Sequence, residues 1–85
     1  MDTGKNRRAI CSAVAQILRK ERQKRGLSLA NVATKAGLSY QMVSFVEKEM
    51  RNPTLDTVLR ISAALEIDMA KIIRHAQSAA KAKSK

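Results

Sequence analysis

The chain has no tryptophan, one tyrosine, one phenylalanine, one proline and one cysteine, and only 7 of its 85 residues are acidic. Each scarcity removes a class of protein. A lone Cys11 excludes an internal disulfide and any cysteine-cluster zinc site. His75, the single histidine, has no partner imidazole for a metal, so neither metal nor cofactor is expected. With two aromatics the core must be built from Ala, Val, Leu, Ile and Met, which suits packed helices better than a sheet. No apolar run approaches the ~18 residues that span a bilayer, and no secretory leader pattern opens the chain. The expectation is a cytoplasmic protein without a membrane partner. No set of nucleophile, base and orienting group is visible, and a domain this small buries only about 60% of its unfolded surface. An enzyme with a small-molecule substrate is therefore not expected.

Positive charge is what the chain has in excess: 17 basic residues give a net charge of +10. Residues 1–30 carry eight basic and two acidic side chains, residues 31–80 six and five, and residues 81–85 three lysines. Such a surface favours a polyanion, above all nucleic acid, where bound cations are released on contact.

Apolar periodicity divides the chain into five helices, and no strand pattern or internal repeat interrupts them. Residues 1–7 read as a flexible basic arm. Ile10, Ala13, Val14, Ile17 and Leu18 form the stripe of a first helix that ends near Gly26. Ser28 caps a second helix running to Ala36, and Ser39 caps a third over residues 40–48. Thr54, just after Pro53, caps a fourth with Leu55, Val58, Leu59, Ser62 and Leu65 on one face. Asp68 opens a fifth bearing Met69, Ile72, Ile73 and Ala76. Residues 8–77 are thus one all-α domain, and residues 78–85 a basic tail without a core face.

Leu29 to Glu47 is the most telling stretch. A helix that stops and restarts within three residues needs a left-handed corner, which Gly37 supplies at little cost. Ala33, one turn earlier, keeps the crossing of two helices narrow. From about Leu18 to Ile67 the order RGLSLANVATKAGLS followed by VSFVEKEMRNPTLDTVLRISAALEI resembles the phage-repressor and Cro-like helix-turn-helix (XRE) family. The resemblance implies a compact five-helix DNA-binding domain of a transcriptional regulator, similar to stand-alone members such as restriction–modification controller proteins and antitoxins. It also implies an ion pair between Arg22 and Glu47. Two positions depart from the family: Leu29 stands where glutamine commonly braces against phosphate, and Glu49 where glycine commonly follows the third helix.

Residues turning 100° apart place Val43 and Val46 inward and Gln41, Ser44, Phe45 and Lys48 outward, with Tyr40 at the helix start. In a helix lying in the major groove of double-stranded DNA, the outward N-terminal residues meet base edges. Gln41 suits adenine N6 and N7 and Ser44 a base or phosphate, while Phe45 suits either a thymine methyl group or a fold back onto Met42 or the second helix. Lys48, Arg51 and Asn52 suit phosphates, and Ser28 and Ser39 complete the expected DNA-contacting set. Met69, Ile72 and Ile73 are candidates for a homodimer seam. A competing expectation is a protein-interaction module of the same fold, antitoxin-like or accessory, with weak or nonspecific DNA binding.

Overall fold

The structure, a computed structural model, describes residues 4–83. They form α1 (Gly4–Lys24), α2 (Leu29–Ala36), α3 (Tyr40–Glu47), α4 (Leu55–Ala64) and α5 (Met69–Lys83), with no strand among the described residues. Helix starts follow the capping residues. The Ser28, Ser39 and Thr54 hydroxyls accept from the backbone amides of Asn31, Met42 and Thr57, and the Asp68 carboxylate accepts from Ala70. At α2 the Asn31 side chain also accepts from the Ser28 amide, a closed capping box.

Helices α1 to α4 all end in one device. A residue with positive φ follows each helix: Gly26 (68°), Gly37 (69°), Glu49 (59°) and Glu66 (56°). The next amide then donates five residues back, from Leu27 to Arg22, Leu38 to Ala33, Met50 to Phe45 and Ile67 to Ser62. This Schellman closure satisfies carbonyls that a helix end would otherwise leave open. At α3 the geometry expected of glycine is therefore kept by Glu49, at a cost in backbone strain.

Leu18, Val32, Val43, Val46, Ile61, Leu65 and Ile72 are the largest fully buried side chains and fix the centre of the core. Helix α1 lies along α5 and touches α3, while α2 packs on both α3 and α4. Several expectations are corrected here. Residues 4–7 are the first turn of α1 rather than a flexible arm; residues 1–3 lie outside the described residues. Likewise α5 runs on to Lys83 and buries Ala80, one turn beyond Ala76, so residues 78–83 continue the helix rather than forming a tail; residues 84–85 lie outside the described residues. Leu55 and Leu59 are 67% and 46% exposed, so they are not on the inner face of α4. Ile72 is wholly buried in its own chain's core and cannot form a dimer seam, whereas Met69 and Ile73 are partly buried beside that core.

Candidate nucleic-acid interface

The pose of α3 is set from both sides. Val43 and Val46 are buried against α2 and the core. From the α1 side, the Arg22 guanidinium grips the Glu47 carboxylate through Nε to Oε2 at 2.7 Å and Nη2 to Oε1 at 2.9 Å. Its Nη1 donates to the Leu27 carbonyl at 2.8 Å, tying the same side chain to the chain leading into α2. Both side chains are largely buried. The bond to Glu47, outweighing burial, holds the Arg22 guanidinium above its ordinary range of protonation. Such a pair adds little net stability, yet it fixes the angle at which α3 is presented.

The corner between α2 and α3 is equally determined. The Gly37 amide donates to the Ala33 and Thr34 carbonyls. Arg60 of α4, paired with Asp56, reaches the Ala36 carbonyl with Nη1 at 3.4 Å. A Cβ on Gly37 would stand 3.2 Å from that same Nη1, on backbone already left-handed. Ala33, buried, leaves room for the crossing.

With α3 so held, its first turn faces outward: Tyr40 is 57% exposed, and Gln41 is exposed beside it. Lys48, Arg51 and Asn52 are exposed at the far end and in the following loop. Ser28 and Ser39 are exposed but committed as caps, each hydroxyl oxygen already accepting from a backbone amide.

Two expected contacts are revised. Ser44 is only 7% exposed and does not project outward. It lies three residues before Glu47, on the face that α1 covers. Phe45 is half-buried rather than free, because the Arg51 guanidinium lies over its ring at 5.8 Å, a cation–π contact that covers one ring face.

Sequence reasoning missed Arg19. It lines, with Ser44, Lys48 and Leu29, a crevice of about 130 Å³ at the junction of α1, α2 and α3. Two exposed cations, Arg19 and Lys48, thus flank Leu29 at the start of α2. The signal was present: Arg19 precedes Arg22 by three residues and so shares its helix face.

The residues from 18 to 72, the whole corner included, match the model of the helix-turn-helix family. The chain belongs to the XRE-type helix-turn-helix family. Among solved structures it is similar to a tyrosine-to-alanine mutant of the restriction–modification controller protein C.Esp1396I, with a TM-score of 0.74 at 24% identity, over 79% of this chain and 87% of that one. It is also similar to a tyrosine-to-phenylalanine mutant of C.Esp1396I bound to its highest-affinity operator site, with a TM-score of 0.76 at 22% identity, over 85% and 95% of the two chains. At these identities the likeness concerns the fold. No curated protein matches the sequence.

Proposed function

We propose that the protein is a sequence-specific, double-stranded DNA-binding transcriptional regulator that inserts α3 into the major groove. One observation carries the reading: α3 is locked by Val43, Val46 and the Arg22–Glu47 pair, so that exposed Tyr40 and Gln41 lead a surface bordered by Arg19, Lys48 and Arg51. The Gln41 amide, both donor and acceptor, is the base reader for adenine. Arg19, Lys48, Arg51 and Asn52 supply phosphate contacts, which position the domain without specifying sequence. The fold shared with an operator-bound controller protein supports this assignment.

The regulator acts in the cytoplasm as a two-fold dimer, which sets two α3 helices about 34 to 36 Å apart on successive major grooves. Because Ile72 is spent on the core, the seam runs instead along α4, where exposed Leu55 and Leu59 lie one turn apart on one face. Titration of random-sequence duplexes at rising salt tests the function. A specific regulator keeps a protected site when the background has dissolved. Loss of binding to all sequences together would reject it, and a protein-interaction module would show no duplex binding at all.

A further inference from the structure

A groove of about 500 Å³ lies between α1, the loop that joins α3 to α4, and the first turns of α4 and α5. Val14, Val46 and Val58, all buried, form part of its floor, Ile10, Met69 and Ile73 form part of its walls, and Leu55 of the proposed dimer seam also lines it. The groove remains open because the nearby positions of α1 are small: Cys11, Ser12 and Ala15 also line it. Its α1 wall, from Arg8 to Ala15, precedes residues 18–72, which match the family model.

Its lining is largely apolar, but its polar groups have one sign in excess. The guanidiniums of Arg8 and Arg51 and the amide of Asn52 line it with a single carboxylate, Glu49. Among the described residues neither Arg8 nor Arg51 forms an ion pair; Arg51 has only the Phe45 ring. A volume within the range of small-ligand sites, an apolar interior and one net positive charge complement a small molecule with an aliphatic body and one negative charge.

We propose that this groove binds a monoanionic amphiphile, an aliphatic carboxylate, whose head group engages Arg8 and Arg51. Binding draws Arg51 away from duplex DNA, a consequence that rests on the proposed function. The charged head gains a charge-assisted hydrogen bond, and the aliphatic body covers the exposed sides of Ile10, Met69 and Ile73.

Cys11 reports occupancy, since it is the sole cysteine, exposed, and part of the groove wall. The test measures its alkylation by iodoacetamide in the full chain, with decanoate as the probe ligand. Decanoate slows the reaction saturably, with half-protection below about 1 mM. Decan-1-ol, a body without the charge, and butyrate, a charge without the body, are each weaker by roughly tenfold, and Arg8→Gln weakens decanoate equally. Equal protection by the alcohol, or none by decanoate, overturns the site. Protection that follows protein concentration and dimer mass instead, indifferent to decanoate, assigns the groove to a second copy of the chain and also overturns it. In a parallel duplex titration decanoate weakens DNA binding. Undiminished binding with Cys11 protected overturns the coupling alone, while a chain that binds no duplex in decanoate's absence refutes the proposed function and leaves the site standing.

Discussion

Replacing Glu49 and Glu66 by glycine should stabilise the protein. Both residues hold φ near +60° at the end of a helix, 59° and 56°, in the same hydrogen-bonded closure that Gly26 and Gly37 serve elsewhere. A left-handed conformation costs an L-residue about 1 to 2 kcal/mol. Glycine returns part of that gain, about 0.4 to 1 kcal/mol, through the greater freedom of the unfolded chain. The net expectation is about 0.5 to 1 kcal/mol per site, and about 1 to 2 for the pair if the two sites act independently. For a domain of this size 1 kcal/mol moves Tm by about 4 to 8 °C, so the double variant should melt several degrees higher. Removing two carboxylates from a chain of net charge +10 increases self-repulsion, and Glu49→Gln with Glu66→Gln measures that contribution alone. The assay is urea unfolding at constant m. Glycine variants no more stable than the glutamine ones would refute the claim that these corners are strained. Gly37→Ala supplies the opposite sign, since its Cβ meets strained backbone and the Arg60 guanidinium at once.

Glu47→Ala, which strands the largely buried Arg22 guanidinium, should cost about 3 to 5 kcal/mol by urea unfolding, and joint replacement of both by apolar residues should recover most of it. Arg51→Gln should flatten the slope of log affinity against log salt by about 0.9 for one phosphate contact, without changing the preferred sequence. Leu59→Arg should leave the fold intact and yield monomers in sedimentation, whereas Ile72→Asp should unfold the domain, because only Ile72 is buried within the chain. The Glu21 carboxyl is held below its ordinary value of 4.5, first by its hydrogen bond to Arg25. A depressed folded-state value means that its contribution is present above about 4.5 and lost as pH falls through the lower folded value, so the small stability gap between the native chain and Glu21→Gln should close in acid.

Local chemistry explains why so much of the fold was legible. Gly37, Ser28, Ser39, Thr54 and Asp68 act where the sequence puts them, because turn and cap geometry depends on neighbours a few residues away. The misreadings arise where a distant element decides. Ser44 turns outward on an isolated helix, but α1 crosses over that side to bring Arg22 to Glu47. Ile72 reads as spare apolar surface until α5 is laid along α1, when Ile72, Ala76 and Ala80 become a buried ridge at four-residue spacing. The first turn of α1 has no apolar stripe to announce it, and residues 4–7 are helical without one. Glu49 preserves a geometry that its residue type disfavours, so propensity pointed away from it. For the site, Tyr40, Gln41, Lys48, Arg51 and Asn52 were readable as an outward set, while Arg19 required the packing of α1 beside α3.

The central claim is that the outward first turn of α3 reads base edges. Selection from a random duplex library, run in parallel on the native chain and on Gln41→Ala, tests it most directly. The native protein should enrich a two-fold repeated motif with half-sites one helical turn apart, and Gln41→Ala should lose preference at one adenine position, at a cost of about 1 to 3 kcal/mol against the best site. Enrichment of no motif by the native chain, or an identical motif from both proteins, would contradict it.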